Sequence, residues 1–383
     1  MYVVASFGSA YKKTMKKVKI GIIGCGGIAN NKHLPSLAEL KDLCEVVAFC
    51  DLIEDKAVKS AQKFGTGDAK IYTDYHELLA DQSIDAVHIC TPNVSHAVIT
   101  VDAFAAGKHV LCEKPMAPTS EDAAKMIDAW KKSSKKFTIG YQNRFRPEVQ
   151  MLKKCCETGD LGDIYFAKAH AIRRRAVPNW GVFMDKEKQG GGPLIDIGTH
   201  ALDITLWMMD NYDVASVSGS TFYKLGTLEQ ATEGNMWGPW DYKNYEVEDS
   251  AFGFVKMKNG ALINIEAAWA INLLESREAS TTLCGTKSGA EIRSGMGYPV
   301  DQLIFNRGRN GLLVEESLTA KGNVAYFSGA HLPPGVAEAK QWLEAIIEDK
   351  EPLVKPEQAF KVTQILEAVY QSAATGREVV IGK

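Results

Sequence analysis

The chain of 383 residues carries 44 basic and 47 acidic side chains, a net charge of −3, and 45% hydrophobic residues. That length predicts two domains, the charge gives no pull toward nucleic acid or an anionic membrane surface, and no apolar run approaches the roughly 18 residues of a membrane span. The eight cysteines have no regular spacing, which points away from a disulfide framework or a cysteine metal site. Cys25, Cys50, Cys90 and Cys112 fall in or beside core strands and read as free thiols of a reducing, cytoplasmic compartment. Residues 1–16 read as an N-terminal extension. The short apolar stretch Tyr2–Phe7 precedes its positive charges, the reverse of a signal peptide, and Met15-Lys16-Lys17 looks like a natural start.

The first regular element is Val18–Ala29, VKIGIIGCGGIA. β-Branched residues lead into a glycine cluster, and Ile28 and Ala29 open a helix. Gly24, Gly26 and Ala29 fit G-x-G-x-x-G/A, in which one glycine makes the turn, one admits a pyrophosphate and a small third residue packs helix on strand. Gly27 and Ile28 complete the phosphate-facing turn, whose N–H groups and helix dipole favour an anion. A second strand, Glu45–Cys50, ends in Asp51, placed to take the adenosine ribose hydroxyls. Leu52 follows, with no adjacent Arg or Ser for a 2′-phosphate, so NAD is favoured over NADP. A helix N-cap is the alternative role for Asp51.

Helix and strand then alternate: helix Glu54–Phe64, strand Lys70–Tyr72, helix Tyr75–Ala80, strand Asp85–Cys90, helix Val94–Ala106, strand His109–Cys112, helix Ser120–Lys131 and strand Phe137–Gly140. This alternation predicts a doubly wound parallel sheet with ligands off the carboxyl ends of its strands. Polar clusters sit at those ends: Thr91-Pro92-Asn93, Glu113-Lys114-Pro115, and Tyr141 to Asn143. The pattern changes near Phe145. Ile164–Ala171, Val214–Phe222, Ser250–Met257, Ala261–Trp269 and Ala279–Cys284 alternate like strands, with Asn259-Gly260 as a hairpin turn. One helix, Pro193–Met209, interrupts them. The fold class is therefore α/β plus α+β. Residues 17–144 form an N-terminal Rossmann domain with a doubly wound parallel sheet. Residues 145–383 form a C-terminal open antiparallel-sheet domain for substrate binding and oligomerisation, whose helices within 335–375 pack back on the Rossmann domain.

Two constellations carry chemistry. Lys114 precedes a proline, which restricts it to extended conformations and aims its side chain. There it can hydrogen-bond a substrate oxygen and stabilise alkoxide character; a solvated surface lysine is the alternative. Asp196 and His200 are i and i+4 on the Pro193 helix, a ready acid/base unit. A surface pair or a satisfied core histidine is the alternative, against which the Gly190-Gly191-Gly192 run argues by letting a ligand or cofactor come close. Asp196, His200 and Asp203 resemble metal ligands, but no second histidine or cysteine supports them, and no metal is expected. No G-x-S-x-G elbow appears.

Taken together, GIIGCGGIA at 21–29, CTPNVSH at 90–96, GKHVLCEKPMA at 107–117 and GGGPLIDIGTHALD at 190–203 resemble the glucose–fructose oxidoreductase / inositol dehydrogenase (Gfo/Idh/MocA) family from about Lys17 onward. The resemblance implies a catalytic Lys114 completed by Asp196 and His200, with Glu113, Asn93 and His96 near the nicotinamide ribose. It also implies a homo-oligomer, dimer or tetramer, through the open sheet, and a substrate that is a sugar, sugar derivative or cyclitol oxidised at a ring carbinol. The arginine- and aromatic-rich stretches 171–182 and 237–245 add Arg173, Trp180 and Trp240 to a substrate-binding set with Lys114, Tyr141, Asp196 and His200; Asn143 joins the cofactor set. Core packing is the alternative for each tryptophan. The reading is an NAD-dependent dehydrogenase acting on a ring secondary hydroxyl, C3 in a glycoside. His200 removes the hydroxyl proton and Lys114 stabilises the oxygen, with their roles exchangeable. The rivals are an NAD-dependent glycosidase working through a transient 3-keto sugar and a non-catalytic sugar or NAD sensor of the same fold.

Overall fold

In a computed structural model, residues 16–295, 301–318 and 332–382 are described; the predicted extension, apart from Lys16, lies outside them. Six short strands form the first sheet: β1 (Val18–Ile23), β2 (Cys44–Cys50), β3 (Lys70–Tyr72), β4 (Ala86–Ile89), β5 (His109–Cys112) and β6 (Phe137–Ile139). Their order is β3-β2-β1-β4-β5-β6, and every pairing is parallel. Strand β4 is buried along its whole length, as expected where helices cover both faces of a parallel sheet. The strand order reverses between β1 and β4, the switch point at which such sheets bind ligands. There the Gly24 turn crosses the end of β4. Gly24 has φ +91, and a Cβ on it would lie 2.7 Å from the Cys90 carbonyl carbon, so only glycine fits both the backbone and the space.

The second sheet has nine strands: β7 (Ile164–Ile172), β8 (Val214–Phe222), β9 (Ser250–Met257), β10 (Leu262–Ala268), β11 (Arg277–Gly285), β12 (Ser288–Arg293), β13 (Gln302–Arg309), β14 (Leu312–Leu318) and β15 (Val379–Val380). Their order is β14-β13-β12-β11-β7-β10-β9-β8-β15. β7 and β10 pair in parallel and the remaining pairs are antiparallel. Strands β12 to β14 were not among the predicted elements. β14 is wet on both faces, so it carries no apolar alternation; the signal available was Asn310-Gly311, both with positive φ, which joins β13 to β14.

The helix predicted over Pro193–Met209 is two pieces, a π turn Leu194–Gly198 and an α-helix Thr199–Met209. Nearly every residue of both is buried, because they lie between the β7–β11 side of the second sheet and the end of the first. Near the C-terminus, helix Pro334–Ile347 places Val336, Ala339 and Leu343 in one apolar cluster with Ile20, Ile22 and Leu34. Helix Pro356–Thr375 packs on β8 and on helix Ser120–Lys132.

The two halves are also bonded by a buried ion pair. The Arg144 Nε and Nη2 groups donate to Asp203 Oδ2 and Oδ1 at 2.9 and 2.6 Å, and Nη1 donates to Gln358 Oε1 at 2.7 Å. This use of Asp203 removes it from the hypothetical metal trio. No helix among the described residues is long and apolar enough to cross a membrane, and all eight cysteines are free.

Candidate active site

Lys114 stands at the carboxyl end of β5, before a cis bond to Pro115. Its Nζ donates to both the Asp196 main-chain oxygen and Asp196 Oδ1, each at 2.9 Å. The lysine of the first sheet thus meets the aspartate of the π turn across the lobes. Asp196 Oδ2 accepts from Trp269 Nε1 at 3.2 Å. Trp269 closes β10, was not predicted as a site residue, and carries no local signal beyond its place at a strand end. Burial pushes the Asp196 carboxyl up, but the charges of Lys114 and Arg173 outweigh it and hold the group below its ordinary value. Asp196 lies within the π turn and His200 in the α-helix that follows it, and such a local widening of a helix is common at functional sites. His200 Nδ1 is buried without a partner among the described residues. Desolvation, then the Lys114 charge, lowers His200 to about 3, so its imidazole is neutral and ready to accept a hydrogen bond at any physiological pH.

Several predicted contact residues instead position others. Glu113 is buried: Oε1 accepts from Lys32 Nζ at 2.6 Å and pairs with His33 Nε2 at 2.8 Å, and Oε2 accepts the Lys114 N–H at 3.0 Å. Lys32 also binds Glu338 Oε2 at 2.8 Å, so the C-terminal helix braces the strand that carries Lys114. With its carboxylate turned inward, Glu113 is corrected from a ribose contact to a brace. His96 is fully buried, and its ring nitrogens face the Pro115 and Thr91 carbonyls at 2.8 and 3.0 Å; it ties two strand-end turns together. Asn93 donates to the Gln189 carbonyl at 2.9 Å and links the lobes.

The substrate set is corrected at two positions. Tyr141 is fully buried, with its hydroxyl at 2.8 Å from Thr199 Oγ1 and its ring edge-on to His200; it backs the imidazole. Trp240 is 3% exposed and its indole N–H donates to the Gly226 carbonyl at 2.7 Å, which leaves no face for a ligand. Arg173 remains near the site, paired with Glu278 and adding its charge to Asp196. Trp180 is 50% exposed.

The glycine run at 190–192 also differs from expectation. Cβ atoms there would collide with Pro118, the Tyr370 hydroxyl and the Glu248 carbonyl, so the close approach is to protein, not to a ligand. Glu248 accepts from Gly192 N at 2.9 Å and Leu194 N at 3.2 Å, and from the Tyr370 hydroxyl at 2.8 Å. This buried carboxylate satisfies the N–H groups at the start of the π turn, and only the folded chain reveals it.

The nucleotide side fits a dinucleotide. A Cβ at Gly26 would meet nothing within 4 Å, so space remains over the turn, and the first-turn N–H groups have no intrahelical acceptor. Asp51 Oδ2 accepts the Cys25 N–H at 2.8 Å and Oδ1 the Ile53 N–H at 2.9 Å, fixing the acid beside the glycine turn. Thr91 Oγ1 accepts from Ser95 Oγ at 2.7 Å, Pro92 is exposed, and Asn143 lies half-buried past the end of β6.

Burial lowers the pKa of His33, His88, His96, His109 and His200. The unfolded chain therefore binds more protons as pH falls below about 6.5, and stability drops. Glu338, which burial raises to about 7 against the pull of Lys32, acts in the opposite sense, as do the Glu248 and Asp203 carboxyls that burial also pushes up, but the five histidines outnumber them. Each histidine that stays neutral at pH 5 costs about 2 kcal/mol of stability there relative to pH 7. Thermal unfolding should show a Tm several degrees lower at pH 5 than at pH 7; an equal or higher Tm at pH 5 contradicts the neutral-histidine assignment.

Two lobes meeting at a lysine–aspartate pair, one of them built on a dinucleotide-type glycine turn, are the build of a nicotinamide-dependent oxidoreductase. Comparison with known proteins agrees. Residues 18–141 match the oxidoreductase family with an NAD-binding Rossmann fold, GFO_IDH_MocA, and residues 153–381 match its C-terminal alpha/beta domain; the chain belongs to this family. It is 34% identical over 370 residues to D-glucoside 3-dehydrogenase of Escherichia coli (strain K12), covering 96% of this chain and 98% of that protein. It is 29% identical over 276 residues to levoglucosan dehydrogenase of Pseudarthrobacter phenanthrenivorans (strain DSM 18606 / JCM 16027 / LMG 23796 / Sphe3), covering 66% and 68%. A levoglucosan dehydrogenase structure in complex with NADH and levoglucosan shares the fold, with TM-score 0.81 and 23% identity over 96% of this chain and 100% of that one.

Proposed function

We propose that the protein oxidises a ring secondary hydroxyl of a glucoside, at C3, with NAD as hydride acceptor. The observation that carries this reading is the Lys114–Asp196 pair beside a neutral His200 at the carboxyl edge of the Rossmann sheet. The 34% likeness to a D-glucoside 3-dehydrogenase over nearly the whole chain supports the choice of substrate and carbon.

When bound, the nicotinamide supplies the hydride-accepting carbon. Gly24, Gly26, Gly27 and Ile28 hold the pyrophosphate end, Asp51 the adenosine ribose, and Thr91, Pro92 and Asn143 border the nicotinamide half. Lys114 donates a hydrogen bond to the reacting oxygen and stabilises its negative charge as hydride leaves the carbon. His200 takes the hydroxyl proton. Asp196 holds the Lys114 ammonium in place through two contacts, and Arg173 adds its charge to the same carboxylate. The five buried free thiols suit a reducing, cytoplasmic compartment.

The test is NADH absorbance with methyl glucosides, free hexoses and inositols, followed by carbon NMR of the product. A 3-keto glucoside with stoichiometric NADH supports the reading. Aglycone release without NADH, or a ketone at another carbon, overturns it. A homo-oligomer forms, in the same reading, through the open face of the second sheet, where Phe254 is 52% and Phe222 39% exposed. Phe254→Asp should lower the mass measured by light scattering; an unchanged mass places the interface elsewhere.

A further inference from the structure

An aromatic ladder leads out from Asp196, and the proposed reaction gives its outer rungs no role. Trp269 donates to Asp196. Its ring meets Phe183 edge-on at 6.2 Å, Phe183 meets Trp180 at 6.0 Å, and Trp180 meets Trp237 at 4.8 Å with an interplanar angle of 86°. The Arg173 guanidinium lies 5.4 Å over the Trp237 ring while adding its charge to Asp196. The same guanidinium therefore lies over an outer tryptophan and lowers the Asp196 carboxyl by its charge.

The outer rungs are exposed: Trp180 at 50%, Trp237 at 37% and the adjoining Met236 at 59%. Exposed apolar side chains that cluster beside a site are a mark of ligand binding. It is also rigid, because the two loops that carry it are bonded to each other. Asn235 accepts from Val177 N at 2.8 Å and donates to the Val177 carbonyl at 3.1 Å, Met236 N donates to the Arg175 carbonyl at 3.1 Å, and Asn179 donates to the Trp237 carbonyl. Two indoles at right angles, fixed before any ligand arrives, present a corner for a flat-faced ring.

We propose that Trp180, Trp237 and Arg173 form an outer subsite for the ring attached through the glycosidic oxygen, an aryl group or a second pyranose. The inference rests on the glucoside reading above. A ring-hydroxyl substrate with no such group would reach Lys114 and leave the corner bare. A substrate carrying one buries the ring against the indoles, and that contact aligns the sugar over the lysine.

The experiment compares kcat/KM for methyl β-D-glucopyranoside, phenyl β-D-glucopyranoside and cellobiose, and for their α-linked counterparts, in wild type, Trp180→Ala, Trp237→Ala and Trp237→Phe. In the alanine variants the ratio of the larger substrate to the methyl glucoside should fall by about tenfold, as expected for one lost aromatic contact with its buried area. Trp237→Phe, which keeps a flat face, should restore most of the ratio. A fall confined to the phenyl glucosides identifies an aryl occupant, and one confined to disaccharides identifies a pyranose; either supports the subsite. Unchanged ratios overturn it, as does an unchanged ratio together with a changed oligomeric mass. If wild type oxidises no glycoside, the function reading fails separately. Quenching of tryptophan fluorescence by phenyl β-D-glucopyranoside, lost in Trp180→Ala, then decides the subsite, and its absence in wild type overturns it.

Discussion

Lys114→Ala is expected to lower kcat roughly 10³-fold on any substrate the wild type oxidises, with NADH still bound. The Lys114 side chain is held against Asp196 through two hydrogen bonds of 2.9 Å, and in the proposed reaction it offsets the charge developing on the substrate oxygen. Lys114→Arg should restore little, because a planar guanidinium cannot occupy the position of a compact ammonium between a carbonyl and a carboxylate. Removing the lysine also removes a charge that keeps His200 neutral. The variant should therefore show a histidine titration, by NMR, at a higher pH than in the wild type. Absorbance at 340 nm measures turnover, and NADH fluorescence measures binding. Near-normal turnover in Lys114→Ala would falsify the assignment of the whole site, since Asp196 and His200 are arranged around that one group.

The second large effect is on stability. Arg144→Ala should cost about 3–5 kcal/mol, read as a lower urea midpoint, because it leaves the Asp203 carboxylate buried and uncompensated. Both side chains of the pair are fully buried, and Arg144 further donates to Gln358 and stacks 5.3 Å over Trp207. Asp203→Ala should be comparably damaging, since the guanidinium is then the stranded charge. The double variant Arg144→Met, Asp203→Leu should be less destabilised than the worse single variant, because no buried charge is left unpaired. A double variant as unstable as the two single losses added together would show that the pair contributes through packing rather than charge. Asp203 sits on the helix that continues from the Asp196 turn, so the single variants should lose activity as well as stability.

Most strands of the first domain were legible because parallel strands covered on both faces are short apolar runs, each closed by a polar cluster. The glycine turn at Gly24 and the lysine before Pro115 were legible for a related reason, since their backbone requirements are local. Errors lie where local signals had two meanings. A run of three glycines means a close approach, but the sequence does not say of what; here Pro118, Tyr370 and Glu248 fill the space. A tryptophan in a polar loop reads equally as a stacking platform or a core plug, and Trp240 is the second. Glu113, His96 and Tyr141 stand next to reactive positions in the chain, yet their polar atoms face partners far away in sequence.

By itself, the amino-acid order determined the Rossmann half, the family resemblance and the nicotinamide cofactor, and singled out Lys114, Asp196 and His200 as candidate reactive side chains, because periodicity, turn chemistry and strand-end motifs act over a few residues. Only the tertiary structure decided how those side chains are placed. The Lys114–Asp196 contact, the His200 imidazole held neutral by burial, the Arg144–Asp203 lock and the exposed Trp180–Trp237 corner each depend on groups separated by tens of residues or more. Desolvation, ion pairing and shape are set by what folding brings alongside, and no local pattern in the chain carries that information.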